Sequence, residues 1–306
     1  MRTLRFHTYG DPADVLRIED AEPPRPGPGQ IRVAVTACGL NPADWGLCGG
    51  LFAGDLPRGI GLEVSGTVDA VGDGVTGVGI GDPVFGPAPF TGPTAGASEQ
   101  ALLDIWFPRP RGLDTAGAAA LPMAVGTAYA ALDALGVDSG HTVLIHGAGT
   151  TTGHAAAQIA AGRGARVIAT AGETHAAALR DIGVEVTGYG DGMARRVTEL
   201  AGGPVELALD TAPFSNALAE LVRTVKAPEH VLTVGGPEPA RELGVRSALD
   251  IGGGPRYDVL GTFGRLAAEG RFAIPVSRTF SLEDWPAALE LSRSHRARGK
   301  LVLRLG

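Results

Sequence analysis

The chain has 306 residues, enough for two domains with separate cores, and its 44% apolar and 19% charged content fits a globular protein. A formal net charge of −7 gives no support to binding of nucleic acid or of an anionic membrane. Two cysteines, Cys38 and Cys48, can build neither a disulfide framework nor a four-thiolate zinc lobe. The N-terminal MRTLRFHTYGD has no apolar stretch of the signal-peptide kind. No uninterrupted apolar run is long enough to span a bilayer, so a cytoplasmic protein is expected. Lysine occurs only at 226 and 300 among abundant Arg, Ala and Gly, which reads as the coding bias of a GC-rich bacterial genome.

Up to about residue 118, short β-branched runs alternate with Gly/Pro turns. Residues 31–35 and 62–68 are predicted strands, and residues 23–29 and 72–77 are turns. From Ala119 onward, alanine-rich helical segments alternate with apolar strands at 143–146, 166–170, 205–210 and 231–234. Such alternation implies a parallel sheet with right-handed crossovers. The tail returns to β texture at 272–275 and 278–281, then a helix near 282–295 and a last strand at 300–304. The expected fold class is therefore α/β. A β-rich domain is built from residues 1–118 and 262–306, and a doubly wound domain with a parallel sheet is inserted at 119–261.

Residues 146–160 read HGAGTTTGHAAAQIA, directly after the apolar run 143–145. A strand turning abruptly into a helix leaves the first helical N–H groups unpaired, and with the helix dipole these form an anion site. Gly147 and Gly153 suit the sharp turn and the close helix–strand packing of a dinucleotide-binding loop. Gly149 stands between them. The middle role, close backbone approach to phosphate, falls to Thr150, Thr151 and Thr152, whose hydroxyls either donate to phosphate or cap the helix. His154 is expected on the exposed side of the helix. After the second strand, residues 170–175 offer Glu173 and His175 but no Lys or Arg before Arg180. An acid here hydrogen-bonds a ribose 2′-hydroxyl, and a base accommodates a 2′-phosphate. Alternatively, Glu173 is a solvated residue placed favourably at a helix start.

Together these segments resemble the medium-chain dehydrogenase/reductase superfamily, specifically its zinc-free quinone oxidoreductase (zeta-crystallin-like) branch. The resemblance rests on VTACGLNPAD at 35–44, GLEVSGTVDAVG at 61–72, VGIGDPVFG at 78–86 and LPMAVGTAY at 121–129. It continues with DSGHTVLIHG at 138–147, LDT at 209–211 and ARGKLVL at 297–303. The fold implied is a GroES-like β-rich catalytic domain with a Rossmann domain. Zinc-dependent relatives place a cysteine where this chain has Asn41 and a histidine where it has Leu62, and a catalytic zinc needs three N, S or O ligands. No metal is expected, and Cys38 and Cys48 read as small core or loop residues.

The resemblance implies hydride transfer from a reduced nicotinamide to a quinone or an α,β-unsaturated carbonyl, with the protein orienting the cofactor and excluding water. Asn41 and Thr127 would sit near the nicotinamide. Gly172, His175 and Tyr189 would lie along the adenosine ribose, Gly235 and Gly236 under the cofactor, and Lys300 near the cleft. Asn41, Asp44 and Trp45 are the candidate catalytic residues, with Phe52 as a second aromatic for a flat acceptor. Gly147, Gly149, Thr152, Gly153 and Glu173 complete the expected cofactor set. The competing readings are an Asx-type turn for Asn41 and Asp44, core packing for Trp45, Phe52 and Tyr189, and a solvated Lys300.

Three departures from the family stand out: threonines in place of glycines at 150 and 151, no basic residue at 172–175, and Trp45 where several enone-reducing relatives carry a tyrosine. NADPH is the first expectation and NADH the second. Against the reductase stands a non-redox enzyme on the same scaffold, an isomerase, dehydratase or cyclase, with Asp44, Glu63 or a histidine as acid or base. A nucleotide-retaining protein without turnover is the third reading. The partner is a small molecule, and a homodimer is expected, with 243–251 as the edge strand.

Overall fold

The computed structural model describes all residues except 251, 253 and 306. They form two compact units, Met1–Met123 with Tyr257–Gly306, and Ala124–Arg256. The divisions fall a few residues from the expected 118/119 and 261/262.

The first unit is organised by strand Ile31–Leu40, which runs well past the predicted 31–35 and is buried along most of its length. It pairs antiparallel with Glu63–Val71, Gln100–Leu103 and Lys300–Arg304. The seven-stranded sheet runs Val276–Ser281, Lys300–Arg304, Ile31–Leu40, Glu63–Val71, Pro83–Pro87, Phe107–Pro108, with Gln100–Leu103 joined to Ile31–Leu40. A second sheet holds Arg17–Asp20, Arg2–Phe6 and Arg58–Gly59. Leu4, Phe6, Ile31, Val33, Val64 and Leu103 are fully buried in the shared core. Register matters most at one point: Leu40 faces Leu301 and Gly39 faces Glu63, so the chain near Lys300 and Glu63 meets across the central strand.

Residues 272–275 are not the predicted strand. Phe272 packs edge-on against Phe263 with ring centroids 4.8 Å apart, and the strand begins only at Val276, after Pro275, which has no N–H for a ladder. The predicted helix near 282–295 is Trp285–Arg293, and the last strand is Lys300–Arg304 as read from the sequence.

The second unit holds a six-stranded, wholly parallel sheet in the order Glu185–Thr187, Arg166–Thr170, Thr142–His146, Leu207–Asp210, Val231–Thr233, Arg246–Ser247. The strand order reverses at Thr142–His146, so the carboxyl end of that strand is where an open α/β sheet accepts a ligand. Leu144, Ile168, Val197, Ala208 and Val231 form the core beneath it. The expected edge strand at 243–251 shrinks to Arg246–Ser247. Leu243 closes helix Pro237–Glu242, Gly244 takes a positive φ of 69°, and Ile251 lies outside the described residues.

One expectation about membranes is corrected. The helical stretch Thr115–Leu135 is long and apolar enough to cross a bilayer by length and composition, but 67% of its apolar window is buried against the rest of the protein, as in a core helix.

Candidate functional site

In the first unit, the loop from Leu40 into helix Pro42–Cys48 carries Asn-Pro-Ala-Asp. Proline suits the first helical position, and Asn41 is the N-cap. Asp44 reaches back so that its Oδ2 accepts from the Asn41 N–H at 2.7 Å, the return half of a capping box. Its Oδ1 accepts from the Gly61 N–H at 2.7 Å, tying the helix to the neighbouring loop. Asp44 is fully buried, and burial pushes its carboxyl up to about 6 against these backbone bonds, which hold it down. Asp44 thus serves the helix start and the neighbouring loop with both oxygens, through a capping-box bond rather than an Asx-type turn.

Asn41 also enters a buried ionic network. Its Nδ2 donates to Glu63 Oε1 at 3.0 Å and to Asp44 Oδ2 at 3.3 Å, and its Oδ1 accepts from the Lys300 ammonium. Lys300 forms an ion pair with Glu63 Oε1, and the Met123 N–H donates to Glu63 Oε2 at 2.8 Å. Lys300 is 1% exposed and Glu63 0%, so the solvated reading of Lys300 is corrected. The space they occupy depends on Gly39, where a Cβ would lie 2.7 Å from Glu63 Oε1 and 2.8 Å from Lys300 Cε. Sequence reading singled out Asn41, Asp44 and Lys300 but gave Glu63 only an alternative role. The signal for pairing it with Lys300 was the rarity of lysine together with two strands flanking Ile31–Leu40.

Trp45 is buried in the core, and its Nε1 donates to Ser292 Oγ at 3.0 Å, the geometry of the core-packing alternative. Phe52 is exposed, takes a positive φ of 53°, and packs against Phe90 at 5.8 Å. Arg58 holds this aromatic pair from below, donating to the Phe52 and Phe90 carbonyls.

At Asn41 and Leu62, the positions where zinc-dependent relatives carry ligands, the described side chains are otherwise engaged. Leu62 is in the apolar core, the Asn41 amide is bonded within the network, and Glu63 faces an ammonium. Among the described residues no group of three or more His, Cys, Asp or Glu could hold a metal ion.

In the second unit, Gly147 opens the turn with φ 79°, and a Cβ there would lie 2.6 Å from the Ala212 methyl. Gly153 packs still closer: a Cβ would lie 2.3 Å from the Gly147 carbonyl and 2.4 Å from Thr211 Oγ1. These are the turn and packing roles expected of them. Gly149 lies beside His175, whose Cδ2 is 3.3 Å from where a Cβ would stand. Thr150 is the N-cap of helix Thr151–Gly162, its hydroxyl accepting from the Gly153 N–H at 3.0 Å and donating to Thr211 Oγ1 at 3.3 Å. The capping alternative therefore holds for Thr150. The N–H groups of Thr151 and Thr152 belong to the first helical turn, which has no intrahelical acceptor for them.

Behind the turn, the Thr170 hydroxyl meets His146 Nδ1 at 2.8 Å and accepts from the Gly147 N–H at 3.0 Å. Asp210 accepts from Thr233 Oγ1 at 2.8 Å, and the Gly235 N–H donates back to that hydroxyl at 3.0 Å. The carboxyl ends of four strands are thus fixed by hydroxyl bridges, with Gly235 buried in the network and Gly236 exposed beside it.

His154 is buried, at 7% exposure, which corrects the expected exposed position. Its ring meets His175 edge-on with centroids 5.8 Å apart, and its Nδ1 has no hydrogen-bond partner among the described residues. Burial, reinforced by His175, lowers its pKa to about 4. Gly172 caps helix Glu173–Asp181 without a side-chain bond, and Glu173 is exposed at its first position. Tyr189 is 65% exposed, correcting the packed reading, with its hydroxyl 3.8 Å from where a Gly172 Cβ would stand. Thr127 is partly buried on helix Leu121–Leu135.

The half-buried Gly172, the exposed Gly236 and Tyr189, and the first-turn amides of Thr151 and Thr152 fit a dinucleotide on the second unit.

Comparison with known proteins gives the class. Residues 27–129 match the family described as Alcohol dehydrogenase GroES-like domain, and residues 183–303 match Zinc-binding dehydrogenase. The quinone oxidoreductase of Coxiella burnetii shares the fold with a TM-score of 0.83 and 28% identity, covering 100% of this chain and 99% of that one. An alcohol dehydrogenase superfamily protein from Novosphingobium aromaticivorans matches with a TM-score of 0.83 and 27% identity, each chain covered completely. The chain belongs to the medium-chain dehydrogenase/reductase superfamily of oxidoreductases.

Its relatives include quinone oxidoreductases and polyketide synthases. The quinone oxidoreductase of Pseudomonas aeruginosa is 36% identical over 209 residues, 66% of this chain and 63% of that protein. The mycocerosic acid synthase-like polyketide synthase of Mycolicibacterium smegmatis is 34% identical over 303 residues, 91% of this chain but 14% of that protein. The chain therefore spans only a small part of the polyketide synthases that it matches.

Proposed function

We propose that the protein is a zinc-independent reductase that takes hydride from a reduced nicotinamide dinucleotide, NADPH before NADH, and delivers it to a quinone or an α,β-unsaturated carbonyl. The observation that carries this reading is the turn from Gly147 to Gly153. It stands at the carboxyl end of the strand where the sheet order reverses, and a Cβ at Gly147 or Gly153 would come within 2.6 Å or 2.3 Å of neighbouring atoms. The likeness to quinone oxidoreductases supports the acceptor class.

When bound, the nicotinamide supplies the hydride. The chain supplies binding, orientation and charge. The amides of Thr151 and Thr152 would take the pyrophosphate at the helix N-terminus. Glu173 suits a free 2′-hydroxyl, yet a cation also stands nearby: the Arg196 guanidinium donates to the carbonyls of Gly188, Tyr189 and Asp191. Arg196 would supply the positive charge that residues 172–175 lack, which keeps NADPH first. Lys300 and Glu63 hold the Asn41 amide in one orientation and act as positioning residues.

A second reading, an isomerase, dehydratase or cyclase on this scaffold, is favoured by one observation. Thr150 occupies the Gly153 N–H from inside the turn and removes a donor that phosphate would otherwise use. Oxidation of NADPH or NADH by the purified protein with a panel of quinones and enones separates the two. Turnover with any acceptor supports the reductase; oxidation of neither nucleotide with any acceptor sinks it. We also propose a cytoplasmic homodimer, and sedimentation showing only monomer would remove the dimer.

A further inference from the structure

We propose that Tyr257 is the proton donor for reduction of an α,β-unsaturated carbonyl. This rests on the reductase reading, because protonation is the half of the reaction that hydride transfer leaves undone.

The polar groups clustered around Asn41 in the first unit are bonded to one another or to backbone. Both Asp44 oxygens accept from backbone N–H groups. Both Glu63 oxygens are bonded, Oε1 to Lys300 and Asn41 and Oε2 to the Met123 N–H. Lys300 donates to Glu63 and to Asn41, and the Asn41 amide donates twice. The Cys38 thiol is fully buried and raised well above its usual range by that burial, and Trp45 donates to Ser292.

Tyr257 differs. It comes from a different part of the chain, opening the short helix Tyr257–Val259, and its phenol donates to Met123 Sδ at 3.2 Å. A thioether is a weak acceptor, so this proton is held loosely by comparison with every other one in the cluster. The ring is only partly buried, and its environment keeps the phenol protonated: burial and the nearby Glu63 carboxylate both raise it. The same Met123 whose sulfur receives the phenol gives its N–H to Glu63, which places Tyr257 beside the Asn41–Glu63–Lys300 network.

The step balances with a reduced nicotinamide dinucleotide as the two-electron donor. Hydride adds to the β-carbon, and the C=C π pair moves to leave an enolate. The Tyr257 O–H bond breaks as its proton bonds to the α-carbon, leaving the electron pair on the phenolate oxygen. Water then returns a proton to the phenolate and leaves hydroxide to the buffer. A quinone needs no such donor, because its reduced oxygens take protons from water directly.

The test compares wild type with Tyr257→Phe on one enone and one quinone, in deuterated water. Wild type should reduce the enone with deuterium on one face of the α-carbon. Tyr257→Phe should lose about 100-fold or more in enone turnover, the lower end of general-acid contributions, or deliver deuterium to both faces. Its quinone turnover should stay within a few-fold of wild type, which shows that the variant is folded. An unchanged enone rate with single-face labelling overturns the assignment, as does parallel loss of both activities or a wild type that reduces only quinones. A wild type that oxidises no reduced nicotinamide with either acceptor sinks the reductase reading itself.

Discussion

The Lys300 ammonium and the Glu63 carboxylate form an ion pair with essentially no exposure to solvent, on strands that flank Ile31–Leu40 from opposite sides. Removing one partner of a buried pair leaves an uncompensated charge, which costs about 3–5 kcal/mol. Lys300→Met should therefore destabilise the protein by about that amount in urea unfolding. The double variant Lys300→Met with Glu63→Leu should recover much of the loss. A double variant destabilised by the sum of the losses of Lys300→Met and Glu63→Leu measured singly would show that the pair is not coupled.

Two buried groups give opposite pH dependences. Asp44 titrates at about 6 in the folded protein against 3.8 unfolded, so the folded state binds the proton more tightly. Its contribution is most favourable below pH 4 and is lost as pH rises to about 6, roughly 3 kcal/mol in all. His154 is lowered from 6.5 to about 4, so its contribution is present above pH 6.5 and is lost as pH falls towards 4, again roughly 3 kcal/mol. Wild-type stability should therefore change little between pH 4 and 6. Asp44→Asn should show stability rising with pH across that window, and His154→Leu should show it falling. Denaturation midpoints at four pH values in that window decide it, and parallel curves for all three proteins would refute both assignments.

The turn should tolerate changes unequally. Gly153→Ala must displace the Gly147 carbonyl and Thr211, which sit 2.3 and 2.4 Å from the new methyl. Overpacking of this kind costs about 1–3 kcal/mol, and nucleotide binding should fall with it. Thr150→Ala loses only a cap, at about 1 kcal/mol, and frees the Gly153 N–H. Its nucleotide affinity should be unchanged or higher. Thermal melting and nucleotide titration of both variants check this, and a larger loss of affinity in Thr150→Ala than in Gly153→Ala contradicts it.

Nucleotide choice should depend on Arg196. Arg196→Ala is expected to weaken NADPH about tenfold, the loss of one charge-assisted contact, and to leave NADH within a factor of two. Equal effects on both would assign Arg196 to holding the 188–191 loop alone, where its three carbonyl bonds already place it.

Much of the architecture was legible because it repeats. The apolar runs at 143–146 and 166–170 could be nothing but central parallel strands, and Gly147 and Gly153 sit where the turn demands them. The edge at 243–251 was not legible, because Gly244 breaks the run and only two residues pair. His154 was misplaced for a different reason: helix periodicity alone cannot show that His175, from the next helix, covers that face. For Trp45 the sequence leaves core packing and a place beside the substrate both open. Its partner Ser292 lies 247 residues away, a distance no local pattern reveals. Tyr257 carried no signal at all, since nothing around it marks a site until Met123 and Glu63 are brought beside it.

Everything proposed about redox chemistry requires the Gly147–Gly153 turn to hold a dinucleotide despite its three threonines. Titration of the purified protein with NADPH and NADH, followed by cofactor fluorescence, measures this without knowledge of the acceptor. The expected result is saturable binding in the micromolar range, stronger for NADPH. No saturation by either nucleotide up to millimolar concentration would contradict it and leave the non-redox reading in its place.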